Sequence, residues 1–452
     1  MAHQQVSAAS EQLRNKILEF AANNFGEQLE QAWEDFNFGD VEGPIDPKDP
    51  ENAVFIPFFL FLWDPDAPET TSDNIRGGIV ARRFLLDNVS LLPEMERQLL
   101  HSYMTRPASF FEVLSVDSGQ GFSARDILAN SNFEVRERLG TRDLAVGDIL
   151  YAQLSPVGGI TTMNFCAPGR IPPRMKSVVV ELRQVLREMD GSGKSLSEQD
   201  LQAFMDDIRE CYLELRDRMM APPVLVNTDG DLLEMHAMTF EVPSAQAAFD
   251  ALAPLALDVP REALLHNAEY DDAGILSKVD VQWLKKGNRK FKSWDNTVLG
   301  KLRIEGRCLV AEANSEKRAR KLRREIEKRL GRSGAIYKGT EITMPGELLE
   351  QAKQAETEMH THGSASEEEF PTELELRQAA GAFLQKELNT WPDKKLTVLG
   401  GKTPRQAVKD PDGREIVESL LLDMERDGKS KGDNFVRPNT SAIRKRLGLQ
   451  SD

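Results

Sequence analysis

The sequence predicts an α+β, multidomain protein: a helical N-terminal region, a small antiparallel β module, a basic β-hairpin and helix module, and a small all-α C-terminal module. Three observations predict it. Apolar residues recur at helical spacing over roughly the first hundred positions and again near the end. From Ser109 the period shortens to that of strands. At 452 residues the chain has room for about two to four domains of ordinary size. Composition shifts place the boundaries at 1–108 for the helical region and 109–221 for the β module with a helical pair. The α+β module with the basic hairpins and helix spans 222–345, a linker 346–372, and the C-terminal module 373–452.

Along the chain, "SEQLRNKILEFAANNFGEQLEQAWEDF" carries Leu13, Ile17, Phe20 and Phe25 near helical spacing, and Ser10 suits a helix start. "VFIPFFLFLW", Val54 to Trp63, is about half the roughly twenty residues a membrane span needs, so a buried segment is expected. "LLPEMERQLLHSYMTRP" is a second amphipathic helix, closed by Pro107. "FFEVLSV", "FEVRERLGTRDLAVGDILYAQLSPVGG" and "ITTMNFCAP" are strand-like runs cut by turn residues. They predict a small antiparallel sheet or barrel, with Gly119, Gly121, Gly147, Gly158 and Gly159 at turns. Two helices follow, in "RMKSVVVELRQVLREMD" and "SEQDLQAFMDDIRECYLELRDRMM", with Ser195 and Glu198 as a capping box between them. "PPVLVNTDGDLLEMHAMTFEV" reads as a hairpin turning at Asp229 and Gly230.

A composition of 40% hydrophobic and 29% charged residues is that of a soluble globular protein. The first residues lack a basic end followed by an apolar core, so no secretory signal and a cytoplasmic location are expected. Cys166, Cys211 and Cys308 lie far apart with no Cys-x-x-Cys pair, which argues against a disulfide framework and against structural zinc. Buried, reduced thiols are expected. A net charge of −16, spread evenly, would repel nucleic acid and anionic membrane.

The charge is not even. Lys278 to Lys338 holds 19 Lys and Arg against 7 Asp and Glu, so it is +12 and leaves −28 on the rest of the chain. "KVDVQWLKKGNRKFKSW" alternates Val279, Val281 and Trp283 as a strand does, then turns at Gly287 and Asn288. "VLGKLRIEGRCLVAEA" is a hairpin turning at Glu305 and Gly306. "NSEKRARKLRREIEKRLG" is a helix capped by Asn314 or Ser315, with Ala319, Leu322, Ile326 and Leu330 inward and Gly331 as its stop. Lys285, Lys286, Arg289, Arg318, Lys321, Arg324 and Lys328 are the candidate phosphate contacts, with Trp283, Phe291 and Trp294 as stacking faces. An acidic protein surface, or the acidic remainder of this same chain, competes for that patch.

Chemical motifs are thin. "GSGKS", Gly191 to Ser195, resembles the tail of a phosphate-binding loop, but Glu188 stands where a glycine is needed and a helix precedes it. His266, Glu269, Asp271 and Asp272 are metal-ligand types at a spacing that matches no ligand motif, and a strand-end turn explains them. His360 and His362 fall in the polar stretch from Gln354 to Glu373, which reads as a flexible linker. No catalytic residue, metal site or cofactor is assigned.

After the linker, "LELRQAAGAFLQKELNTW" reads as a short helix. Thr403 then caps a helix starting at Pro404, with Gln406 completing the box. "KDPDG" is expected to break it, and "REIVESLLLDMERDG" to resume until Gly428, with Ile416, Val417, Leu420, Leu421 and Met424 on one face. The run Leu399-Gly400-Gly401-Lys402-Thr403-Pro404-Arg405-Gln406-Ala407, then Gly413-Arg414, Val417 and Leu420-Leu421, resembles the toxin-binding domain shared by the Xre, MbcA and ParS antitoxins. That resemblance spans about 80 residues, implies a helical module that binds a protein partner, and in that family usually follows a DNA-binding helix-turn-helix. No convincing helix-turn-helix is seen here. Arg405, Lys409, Arg414 and Glu418 are the candidate outward contacts, and Leu399, Ile416, Leu420 and Leu421 the core.

The segment Phe110 to Pro173, the turn Asn227-Thr228-Asp229-Gly230, and Leu299-Gly300 through Asn314-Ser315-Glu316 with Arg318-Ala319 resemble a second group, bacterial proteins that often carry a zinc-binding SEC-C motif. The Cys-rich motif is absent here, so the resemblance implies no zinc and no established activity. The expectation is therefore a non-enzymatic bacterial protein-binding or regulatory protein, antitoxin-like, that meets a toxin-like or other partner through its C-terminal module. The alternative is a nucleic-acid-binding factor acting through 278–338, with a hydrolase third; no membrane contact is expected.

Overall fold

The computed structural model describes residues 2–41, 43–65, 77–137, 140–221, 225–287, 295–331, 334–344, 388–430 and 440–449. The chain divides into two compact units, residues 1–221 with 370–452, and residues 222–369. Both combine helices and strands, so the class is α+β.

In the first unit five helices precede a barrel: α1 (Ala2–Phe25), α2 (Leu29–Phe36), α3 (Asn52–Phe61), α4 (Ile79–Asn88) and α5 (Glu94–Thr105). α1 buries Leu13 and Ile17, four residues apart and so on one face. It begins at Ala2 and not at Ser10, whose hydroxyl instead meets that of Tyr103 at 2.8 Å from mid-helix. The apolar run forms most of α3 and packs into the helical core, where Phe55, Leu60 and Phe61 are at most 1% exposed. α5 stops at Thr105 because Pro107 holds Arg106 in an extended conformation. Among the described residues no helix is long and apolar enough to cross a membrane.

Strands β1 (Ser109–Asp117), β2 (Gly121–Asp126), β3 (Asn132–Val135), β4 (Ile149–Val157) and β5 (Ile160–Cys166) close into a barrel in the order β1-β2-β3-β5-β4. The pairs are antiparallel except β3 with β5, which run parallel at Val135 and Thr161. Phe111, Val113, Phe122, Leu150 and Leu154 fill the interior. β4 is buried on both faces, because Ile149, Tyr151 and Val157 belong to the helical core outside the barrel. Four of the five expected turn glycines take left-handed dihedrals; Gly121 does not, and is required because a Cβ there would overlap the Val135 carbonyl.

At the end of β2 the buried Asp126 accepts, through one oxygen, from the Ser109 hydroxyl and the amides of Leu128 and Ala129 at 2.8, 2.8 and 3.0 Å. Burial pushes its carboxyl up to about 6 in spite of those bonds. Between about pH 4 and 6 the folded protein thus keeps a proton the unfolded chain has lost, and stability falls as pH rises through that window. Asp126→Asn keeps the accepting oxygen. It should flatten that slope and raise stability above pH 6 by about 1–2 kcal/mol, read as urea midpoints across the window.

α6 (Lys176–Asp190), α7 (Glu198–Leu201) and α8 (Met205–Met220) follow. The capping box lies two residues beyond the expected one. Ser197 accepts from the Asp200 amide at 3.3 Å, and the Asp200 carboxylate accepts from the Ser197 amide at 2.7 Å.

The second unit is an antiparallel sheet of β6 (Met235–Glu241), β7 (Glu269–Tyr270), β8 (Leu276–Lys286), β9 (Asn296–Glu305), β10 (Cys308–Ala313) and β11 (Ile336–Thr343), in the order β11-β6-β10-β9-β8-β7. α9 (Ala245–Leu252) and α11 (Glu316–Leu330) pack Phe249, Leu252, Leu322 and Ile326 on the sheet residues Phe240, Val281, Leu302 and Leu309, and the short α10 (Arg261–Leu264) follows α9. The β9–β10 hairpin is formed, but it turns at Gly306 and Arg307, one residue beyond the expected pair, because Glu305 still pairs with Cys308. Ser315 caps α11 and Gly331 ends it. The hairpin expected around Asp229 is formed only in short, with Gly230 but not Asp229 at positive φ and backbone bonds from Asn227 to Asp231 and from Leu233 to Leu225. Val226 and Leu232 make one bridge, and β6 pairs with β10 and β11 because those long strands offer more ladder and more burial.

The chain returns to the first unit with α12 (Pro404–Ala407), α13 (Pro411–Ser430) and α14 (Ser441–Leu447). The helix expected in "LELRQAAGAFLQKELNTW" lies mostly outside the described residues. The Thr403–Gln406 capping box is formed in both directions and contributes about 1 kcal/mol. "KDPDG" breaks the helix as expected, since α12 ends at Ala407, and it also starts the next: Pro411 needs no donor there, and Asp410 caps by accepting from the Gly413 amide at 2.7 Å. α13 also runs through Gly428.

Candidate functional site

α13 has three stripes. Val417 and Leu421 are fully buried in a core of the module's own, with Leu399, Ala407, Ile443 and Leu447. A second stripe, Asp412, Glu415, Asp423 and Arg426, faces the barrel and α6 through ion pairs. The third carries Arg414 and Glu418, half exposed and paired to each other at 3.2 Å. Arg414 also donates to the Gly448 carbonyl at 3.1 Å. Arg405 is exposed beside Asp393 at 2.8 Å, Arg446 reaches the same carboxylate at 3.8 Å, and Lys409 is exposed. The ion pairs of Arg405, Arg414 and Glu418 are therefore internal to the module. Leu399 is buried as expected, while Ile416 and Leu420 are partly buried.

The stripe facing the body forms a cluster that no local pattern announces. Glu415 takes Lys176 at 3.0 Å, Arg125 at 2.8 Å and Arg183 at 2.7 Å, and Arg183 also holds Asp412 at 2.8 Å. Glu112 pairs with Lys176 and Arg125, both at 2.7 Å. Arg187 lies 3.8 Å from Asp412, and Gln184 donates to it at 2.7 Å. Lys176 and Arg183 are seven residues apart on one face of α6, and their side chains are only 3% and 4% exposed. Burial alone would raise the Glu415 carboxyl, but Lys176, Arg183 and Arg125 outweigh it and hold the group below the usual carboxylate range. Between α6 and the Thr397–Lys402 loop lies a cleft of about 530 Å³, lined by Val178, Glu181, Val398, Gly400 and Asp410.

In the second unit the basic segment is mostly neutralised. Lys301 and Arg303 approach Asp280, Arg307 and Lys338 take Glu241, and Arg323 and Arg329 pair along α11 with Glu327 and Glu325. Arg318 is not on the outer face: its side chain is 4% exposed and donates to Asp229, Thr228 and Asn314, because the Ser315 cap turns it inward. Trp283 is a core residue, 4% exposed, and so no stacking platform. Lys285 lies 3.7 Å from Asp229 and Lys286 is exposed. Lys321 sits 5.8 Å over the Trp283 ring, and Lys321, Arg324 and Lys328 have no ion partner among the described residues. Arg289, Phe291 and Trp294 lie outside the described residues.

The remaining motifs are structural. Gly191 is the left-handed stop of α6. Asp271 accepts from the Ala273 and Ile275 amides at 3.0 and 2.8 Å, which makes its cluster a turn. His360 and His362 lie outside the described residues. Burial pushes the Cys166 and Cys211 thiols up to about 12, whereas Cys308, expected inside, is exposed at the β9–β10 turn. Of the residues behind the second resemblance, those in the second unit converge, since the Asn227–Asp229 turn is tied to Asn314 and Arg318, whereas Phe110 to Pro173 belongs to the first unit. Comparison with protein-family models, curated proteins and solved structures finds no match to the chain.

Proposed function

We propose that this is a non-enzymatic, cytoplasmic bacterial regulatory protein that binds a protein partner, toxin-like or other, through the outer face of its C-terminal helical module. The proposal keeps the four-part organisation read from the sequence, with 373–452 as the partner-binding part. One observation carries it. Arg405 and Arg414 are exposed and Glu418 half exposed, yet all three are fixed by pairs within the module, so they are presented without the ordering cost that loose side chains would add. The supporting resemblance runs over the loop and α12 that orient this face.

Affinity purification from the native host tests it, with wild type and Arg405→Glu compared after nuclease treatment. The variant should keep the module's thermal transition and lose most of the co-purifying partner. Unchanged capture would refute the assignment of this face. Nucleic-acid binding through 278–338 stands as the second reading, favoured by the unneutralised stripe of Lys321, Arg324 and Lys328.

A further inference from the structure

The interface between α13 and the barrel body is built unlike the cores on either side of it. The module's apolar cluster and the body's helical cluster share only Ile416 among the described residues, so each is closed without the other. Beyond Leu422, which lies beside Gly147 and Pro173, what joins them is charge. From the body come Arg125, Lys176, Arg183 and Arg187, with Glu112 as the acid between them. From the module come the carboxylates of Asp412 and Glu415, three residues apart on one face of a helix.

The fit is incomplete. The Nε atoms of Arg125, Arg183 and Arg187 are buried without a hydrogen-bond partner among the described residues. Clefts of about 530 and 730 Å³ flank the first turn of α13, the second lined by Arg187, Lys194 and Asp412. A partly satisfied ionic network beside open clefts stabilises much less than a packed apolar seam, and polar interfaces of this kind are the ones that open.

We propose that α13 is a reversible latch: Asp412 and Glu415 fill a cationic socket on the barrel body, and when the module withdraws the socket takes an acidic helical segment of a partner protein. With Arg174, the open socket would carry five cations against the two acids Glu112 and Asp148. Two carboxylates at i and i+3 on a helix match it, which a flexible phosphate chain does not reproduce. The proposal goes beyond the partner-binding face, because the socket lies on the body and not on the module.

The test uses the full chain and a fluorescent peptide of residues 404–427 as probe. In Asp412→Asn/Glu415→Gln the plug loses its charge but keeps its shape. This double variant should bind the peptide at least about tenfold more tightly than wild type, and binding should fall with salt. The same peptide with both acids amidated should not bind. Equal affinity for wild type and variant, or preference for a single-stranded RNA probe, would overturn the proposal. Hydrogen exchange of the wild type supplies a check that needs no variant. From about 0.05 to 0.5 M salt, 176–187 and 411–426 should lose protection together while 441–449 stays protected. Loss of protection only with the whole unit would show a permanent seam and end the idea.

Discussion

Arg183→Met should lower the stability of the unit formed by 1–221 and 370–452 by about 3–5 kcal/mol, the cost of leaving buried charges uncompensated. The guanidinium spans three elements: it donates to the Ile127 carbonyl at 2.7 Å and pairs with both Asp412 and Glu415. Methionine fills comparable volume, so the loss is electrostatic and not a cavity effect. Adding Asp412→Asn and Glu415→Gln to the same chain should recover a large part of the loss, because the stranded charges are then gone. Urea unfolding followed by tryptophan fluorescence and circular dichroism would measure both changes. A single replacement that costs under about 1 kcal/mol would mean the carboxylates reach water without Arg183.

That residue also shows what the sequence could reveal. α6 was legible as an amphipathic helix, and Lys176 and Arg183 stand on its inward stripe beside Val179, Val180 and Leu186, a visible anomaly of charge on an apolar face. Its cause was not legible, since Asp412 and Glu415 lie more than two hundred residues away and only tertiary structure pairs them. Local signals held where local chemistry decides, as at the Thr403 box, the Ser315 cap and the Gly331 stop. They failed where a side chain could satisfy more than one frame. Ser195 and Ser197 both offer a cap, and Asp229 serves a buried arginine as well as its short hairpin. Arg318 was placed outward because its neighbours Lys317, Arg320 and Lys321 are basic, whereas its helical position puts it with Leu322 and Ile326.

Arg318→Met is the corresponding expectation for the second unit, with a loss of about 2–3 kcal/mol. The side chain ties the first turn of α11 to the Asn227–Gly230 turn through Asp229 at 2.7 Å and Thr228 at 2.7 Å, and to Asn314 at 2.9 Å. Asp229 is about one third exposed and keeps Lys285 nearby, so the cost is smaller than for Arg183. Burial would raise the Asp229 carboxyl, but Arg318 and then Lys285 outweigh it and hold the group below the usual range. A depressed acid contributes stability that is present above its unfolded pKa of about 4 and lost as pH falls through the folded value. Part of the acid-side slope of this unit should therefore disappear in Arg318→Met. Lys321→Glu/Arg324→Glu/Lys328→Glu makes the opposite prediction: stability within about 0.5 kcal/mol of wild type, but weaker and less salt-dependent binding to generic RNA or DNA if that stripe meets phosphates. Should Arg318→Met leave stability untouched and abolish nucleic-acid binding alone, the inward role given to this arginine is wrong. Should the wild type show no salt-sensitive binding at low ionic strength, the stripe answers to an acidic protein surface and the nucleic-acid reading falls.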